Sequence, residues 1–536
     1  MTSLWQSAEA RATLLKQIVQ FDSVTLSEGE KEFPFFIQQM LMDLPYFKER
    51  EEQVILAPTG DGRHTLMAHY KAKSRKTIVL ISHYDTVGID DFGDYEQAAF
   101  DMDAITALFK EDDAYLNATA KEDLASGNYL FGRGSMDMKP GLMLHLSLIE
   151  KAILEEWNIN LLLMTVPDEE VNSLGMRTAM MKLHDIVQKE KLDIVLYLNS
   201  EPTFQQQASD NAHYVYSGSI GKLMPAVLCY GEETHVGTPM NGISSNFMLN
   251  FVNQTMEYNR HFKETFEDEA TPLPVALMNK DLKDYYDVQT PFRSVALYNV
   301  FSFKQTAADV FSQFNTIVKE AKEKCEQAYQ QIFELEQVER TLDIKVLTYA
   351  ELLQQATEQL GRDKVELIIS KAVEEPALYL QNIQVVDELM KNCKAIGPAM
   401  VTFFVPPYYP AVNASYHSEI EDLIVQVKTA AAGLGRESKR LHYFNGISDL
   451  SYCLSDNAGS GKVYADNTPT FKRTYDIPFE EIHAIQAPVF NCGPIGKDAH
   501  KVTERLNTKS AFEELPVMLE HIVRYYLATK NTPAFK

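Results

Sequence analysis

Basic residues are scarce in this 536-residue chain: 50 Lys and Arg stand against 75 Asp and Glu, a formal net charge of −25 at pH 7. No Lys/Arg run offsets the excess locally, so nucleic acid and anionic membrane surfaces are excluded as partners. Cysteine is scarce too. The five thiols, Cys229, Cys325, Cys393, Cys453 and Cys492, are odd in number, widely spaced and never in a CxxC pair. That excludes a disulfide framework and predicts reduced, packed thiols in a cytoplasmic protein. A clean membrane-spanning run is missing, because the uncharged stretch IGPAMVTFFVPPYYPAVNASYH is broken by Pro398, Pro406, Pro407 and Pro410. The N-terminus MTSLWQSAEARATLLKQIVQFDS lacks the basic start and unbroken apolar core of a secretion signal, so export is not expected. Low-complexity tracts and short-period repeats are also lacking, which argues against disorder and solenoids.

What the chain has is length for more than one core, and a hydrophobic fraction of 45% with 23% charged residues, the balance of a folded protein. Its first 210 residues alternate apolar runs that do not themselves alternate (TIVLIS, INLLLMTV, LDIVLYLN) with amphipathic helical stretches. That is the signature of an α/β fold with a mostly parallel or mixed central sheet flanked by helices. The pattern then changes: GKLMPAVLCY and RSVALYNVFSF read as strands of a different sheet, with a helix near ISSNFMLNFVNQTMEY. From Thr306 to Lys345 there is neither Gly nor Pro, and apolar residues recur at Val310, Phe314, Ile317, Ala321, Cys325, Ala328, Ile332 and Leu335. This predicts one long helix near 306–340, packed on its own domain rather than forming a coiled coil between subunits. The first pattern returns with APVFNCGPIGKDAH. The expected division is a discontinuous catalytic domain, 1–212 and 407–536, interrupted by an inserted α+β domain at 213–406.

In open α/β sheets ligands bind beyond the carboxyl ends of the strands, where the loops converge. Here those ends carry His83 and Asp85 after TIVLIS, Glu169 and Glu170 after LLLMTVP, Glu201 after IVLYLNS, and His500 after VFNCGPIGKDA. Asp137, in GRGSMDMKPG, precedes a helix whose loop can reach the same crevice. Two imidazoles with several carboxylates suit a pair of divalent ions of the zinc type. Neighbouring carboxylates at a buried edge raise one another's pKa and cost stability; two dications reverse that sign. In a two-metal site a shared carboxylate bridges the ions and a water becomes acidic near neutral pH, so an adjacent carboxylate that is not a ligand can take its proton. Singly, each motif is common, and an EE pair is usually a solvated helix start. Their joint order carries the inference.

That order, HxD, GRGSMDMK, EE, EPT and GPxGxxxH, resembles the M20 family of metallohydrolases over nearly the whole chain. The SHYDTVGIDDFGDY, PPYYP and NGISDLSY segments are similar to its arginine-utilisation branch. The resemblance implies a zinc-exopeptidase-like catalytic domain with an inserted lid, and a homodimer through that lid. It implies that His83, Asp137, Glu170, Glu201 and His500 are metal ligands, Asp137 bridging, with Asp85 orienting the His83 ring and Glu169 the general base. In CYGEETHVGTPMNG, His235 resembles the residue that steadies the oxyanion, and Asn241 and Asp449 (in GISDLS) are weaker substrate-side candidates. Three departures stand out: Pro140 where the family usually has Gly, Lys345 in DIK where it usually has Arg, and a long acidic insertion between His83 and Asp137. The insertion reads either as a solvated segment or as an acidic rim for a cationic substrate.

The expected function is hydrolysis of an amide in a small substrate, a dipeptide or N-acyl amino acid such as an arginine derivative. Hydroxide on two divalent ions would attack the carbonyl, with zinc, cobalt and manganese all suited to the donors. Deacylation or decarbamylation of a non-peptide amide would use the same residues. The alternative from another class is a binding or regulatory protein on the same scaffold.

Overall fold

The computed structural model describes residues 3–206, 210–455 and 458–529. The chain forms two compact units: one of Met1–Ser219, Val412–Ser455 and Pro478–Lys536, the other of Ile220–Ala411 and Asp456–Ile477. Residues 456–477 therefore group with the second unit, whereas the sequence reading had assigned them to the first.

The first unit is built on an eight-stranded mixed sheet. Its strand order is Val54–Pro58, His64–Tyr70, Asn160–Val166, Lys76–His83, Asp193–Asn199, Val489–Asn491, His213–Tyr216 and Ser438–Leu441. The four strands from Asn160–Val166 to Val489–Asn491 run parallel. Asn160–Val166 is buried at every position, and Lys76–His83 at all but its first, as expected of strands covered on both faces. The edge strand Val54–Pro58 and its neighbour His64–Tyr70 form an antiparallel hairpin that the sequence alone does not reveal. Helix Lys139–Leu154 starts with Pro140 in its first turn, where no amide bond is lost. It buries 14 of its 16 residues, so it has no solvent face; helices Ala8–Gln20 and Leu515–Ala528 pack against it. Its buried Glu150 is satisfied by the Trp5 amide and the Gln6 side chain, each 2.8 Å away.

The second unit carries a sheet ordered Val275–Asp281, Arg293–Ser302, Pro225–Tyr230, Ala399–Phe404 and Lys345–Thr348, with Gly221–Leu223 pairing on the end of Arg293–Ser302. The sheet is sandwiched. Val295 and Leu297 face a core shared with helices Tyr349–Leu360, Arg362–Ala372 and Leu378–Asn392. On the opposite face Tyr298 meets Phe314, ring centroids 5.8 Å apart.

Phe314 belongs to the long helix, which is shorter than its sequence predicts: it runs Ala307–Leu335 and is followed by an irregular segment and the strand Lys345–Thr348. Gln337, with φ 55°, ends it in the left-handed region. The Gln337 amide donates to the Glu334 carbonyl and the Val338 amide to that of Phe333, a Schellman closure that usually announces itself with glycine. The buried stripe also shifts: Tyr329 and Phe333 are buried, while Leu335 is 81% exposed. Phe314→Ala should cost about 3–5 kcal/mol in urea unfolding, whereas Leu335→Ala should stay within about 0.5 kcal/mol.

Candidate metal centre

Three parallel strands deliver residues at or just beyond their carboxyl ends to one point. His83 ends its strand fully buried, its Nδ1 3.0 Å from the Asp85 backbone carbonyl. Its Nε2 lies 3.2 Å from Asp137 Oδ1, 3.5 Å from Glu201 Oε1 and 3.8 Å from Glu169 Oε2. The other Asp137 oxygen, Oδ2, is 3.2 Å from His500 Nε2, which in turn is 3.1 Å from Glu170 Oε2. One carboxylate thus stands between two imidazoles, each flanked by a glutamate from the Glu169–Glu170 pair. His83, Asp137 and Glu170 each offer a ligand atom within 4.8 Å of the others.

Asp85 touches both His83 and the neighbouring turn. Its carboxylate is 3.5 Å from His83 Nδ1, farther than its own backbone carbonyl. It also accepts the amides of Glu169 at 3.1 Å and Glu170 at 3.2 Å, and the Thr25 hydroxyl at 2.9 Å. The carboxylate fixes the turn that presents both glutamates. The remaining acid of the triplet, Asp168, holds the same turn from below, with φ 69°. Its carboxylate receives Arg63 at 2.8 Å and the Leu174 amide at 3.0 Å, and its own amide donates to Glu30. Arg63 also donates to Glu30 at 3.0 Å, and the side chains of Arg63, Glu30 and Asp168 are at most 4% exposed. The Asp137 loop has its own anchor: Glu504 accepts the amides of Met136 and Asp137 and pairs with buried Arg133 at 2.8 Å. Sequence reading missed Arg63, Glu30, Arg133 and Glu504, since each meets its partner only through long-range folding. Gly493 is explained by close approach, because a Cβ there would lie 2.0 Å from the Glu201 carbonyl oxygen.

Asp449 joins the cluster, fully buried in the first unit; burial, offset in part by a hydrogen bond from Ser173, lifts its pKa to about 7. His235 and Asn241 lie in the second unit. His235 is exposed, with Nδ1 accepting the Gly237 amide at 3.0 Å, and Asn241 is exposed in a short 3-10 turn.

Asp85, Asp137, Glu169, Glu170, Glu201 and Asp449 bring six carboxylates, none more than 14% exposed, against two imidazoles. Burial raises the pKa values of Glu169 and Glu201, and the neighbouring acids add to it. Hydrogen bonds to Asp137 and Glu170 push His500 up to about 10; for His83 burial, the largest single influence, pulls down, but the charges of Glu201 and Glu169 with hydrogen bonds to Asp137 and Asp85 together raise it. Protons do here what cations would do better. The N–O and O–N separations of 3.1–3.8 Å are close to the edges, about 3–3.6 Å, of coordination polyhedra with bonds of about 2.0–2.2 Å. Mixed imidazole and carboxylate donors fit divalent ions of the zinc type.

A mixed, helix-covered sheet with this cluster beyond its strand ends defines a metal-dependent hydrolase with a zinc-exopeptidase-like fold. The chain belongs to Peptidase family M20/M25/M40, whose sequence profile matches residues 98–532. Two relatives from Bacillus subtilis (strain 168) align with nearly the whole chain. Uncharacterized protein YqjN is 38% identical over 531 residues, 97% of this chain and 96% of its own. Protein RocB is 30% identical over 550 residues, again 97% and 96%. Among solved structures, an M20 family metallo-carboxypeptidase from Sulfolobus solfataricus shares the fold with a TM-score of 0.56 at 12% identity, covering 97% of this chain and 99% of that one. A tripeptidase from Staphylococcus aureus does so with a TM-score of 0.51 at 12% identity, covering 98% and 100%. No helix among the described residues is long and apolar enough to cross a membrane.

Two outcomes test the centre's electrostatics. Arg63→Met leaves Glu30 and Asp168 buried without their cation and should cost about 3–5 kcal/mol in chemical unfolding. The raised pKa values mean that the folded, metal-free protein binds more protons than the unfolded chain. Its stability is therefore fullest below the unfolded pKa values and falls as pH rises through about 7 for Asp449 and about 10 for His500. Tm of the metal-free protein should fall between pH 6 and pH 9, and an added divalent cation should raise Tm more at the higher pH.

Proposed function

We propose that the protein hydrolyses the amide bond of a small amino-acid derivative, a dipeptide or an N-acyl amino acid. The site would hold two divalent cations, zinc, cobalt or manganese, through His83, Asp137, Glu170, Glu201 and His500. The observation that carries the reading is Asp137, whose two oxygens each lie 3.2 Å from a different imidazole, as a bridging carboxylate requires. When bound, such a pair of ions polarises an amide carbonyl and makes a water acidic near neutral pH.

The chain's own residues supply the proton traffic. Glu169 follows Asp168, whose position is locked by Arg63, and its amide is held by Asp85. Its carboxylate takes a proton from the attacking water and later delivers it to the amine nitrogen as the C–N bond breaks, leaving a carboxylic acid and a free amine. Burial, the largest cause of its raised pKa, persists with cations present and suits a group that both accepts and returns a proton. His235 is assigned to the oxyanion on its motif CYGEETHVGTPMNG alone. Arginine derivatives are the first subclass to try, because SHYDTVGIDDFGDY resembles the arginine-utilisation branch and leaves Asp90, Asp94 and Glu96 exposed. Five buried, unpaired thiols support a cytoplasmic setting.

The test is a chelate-and-restore assay over dipeptides and acylated amino acids, paired with elemental analysis. Glu169→Gln should keep the wild-type metal content and lose about 10²–10⁴-fold in kcat. Unchanged turnover would exclude Glu169 as the base, and a wild-type protein with neither bound metal nor restorable activity would point to a binding protein instead.

A further inference from the structure

The acidic insertion between His83 and Asp137 is built as a folded piece. Phe92, Ala99, Ile105, Phe109, Leu116, Ala120, Leu124 and Phe131 form a core of their own. It ends in the strand Tyr129–Phe131, which pairs with Arg505–Asn507, and that strand pairs in turn with Gly496–Lys497. The loop between these last two carries His500.

That loop holds an unfavourable conformation. Asp498 and His500 both adopt left-handed backbone, with φ 59° and 64°, and the His500 side chain is 48% exposed. Packing alone gives such a residue little restraint. Ion pairs supply it. Asp123, on the insertion's helix Ala118–Ser126, accepts Lys497 at 2.8 Å and Arg505 Nε at 2.7 Å. The same Arg505 donates through NH1 to Asp498 Oδ2 at 2.6 Å, and Thr503 adds a bond to that oxygen at 2.9 Å. Arg505 is 1% exposed and Asp123 13%, so the chain of charges is shielded from water and salt.

Resting on the two-cation reading above, we propose that Asp123 is a positioning residue: through Arg505 and Asp498 it sets the backbone that presents His500. The insertion is then a clamp on one side of the centre, and its charge at Asp123 is committed to that contact instead of to a cationic substrate. Arg133 makes a parallel connection, joining Asp91 at 2.8 Å and the Gly88 carbonyl at 3.1 Å to Glu504 under the Asp137 loop.

The experiment is titration of the metal-free, full-length protein with zinc against a competing chelator. Wild type should show two binding steps, one of them removed by His500→Ala. Asp123→Asn should weaken that same step about tenfold or more and leave the other within about twofold, as expected when the support of one ligand is lost. Asp94→Asn removes an exposed charge of the same insertion and should move neither step, which separates positioning from the general field of the acids. Lys497→Met, which cuts one arm and keeps Arg505 on Asp498, should weaken the His500 step less, and serves if Asp123→Asn does not fold. Two wild-type steps with an unchanged Asp123→Asn isotherm, or equal weakening of both steps by Asp123→Asn and Asp94→Asn, overturn this inference alone. A wild-type protein that takes up neither zinc, cobalt nor manganese overturns the proposed function and this inference with it.

Discussion

Mutual repulsion among six nearly buried carboxylates is the constraint around which the first unit is arranged. Such a group cannot be held together by its own preferences. Several turns that carry these acids are therefore tied down by hydrogen bonds and ion pairs around the site. Asp85 takes two amides, the Asp168 turn is tied to Arg63, and the Asp137 loop hangs from Glu504. The imidazoles of His83 and His500 then share Asp137 between them. The result is a set of donors whose positions are fixed independently of what fills the space among them, the condition for a preorganised site.

The sequence was most informative where local physics decides the outcome. TIVLIS, INLLLMTV and LDIVLYLN could only be buried strands, and the rule that ligands gather at their carboxyl ends led directly to His83, Glu169, Glu170 and Glu201. Pro140 in a first helical turn was equally legible. What was hidden depends on distant segments. Nothing in GDGRHTL tells that Arg63 will meet Glu30 and Asp168, and nothing near Glu504 points to the Asp137 amide. The end of the long helix was hidden for another reason: its Schellman closure places Gln337 where glycine would have signalled it. The hairpin Val54–Pro58 and His64–Tyr70 stayed hidden because its first strand is short and ends in proline and the apolar residues of its second are interspersed with His and Thr.

Family membership and this geometry agree on the reaction class, and the geometry adds to the part that the HxD motif suggests. HxD suggests an aspartate serving a histidine. Here the Asp85 carboxylate lies 3.5 Å from His83 Nδ1 and also takes the amides of both glutamates across the crevice, while its backbone oxygen meets the same ring. One residue thereby links His83 at the end of one strand to Glu169 and Glu170 beyond the end of the next, so a displacement of either strand end is felt by both.

The strand order has a consequence for how the protein is made. Val489–Asn491 lies inside the first sheet, between Asp193–Asn199 and His213–Tyr216, although nearly the whole second unit is encoded between them. During synthesis the sheet therefore waits with an open slot while almost three hundred further residues leave the ribosome. Over that interval the nascent chain exposes the bare edge of Asp193–Asn199 and carries His83, Asp137, Glu170 and Glu201 without His500, and only the stretch from Val489 to His500 closes both.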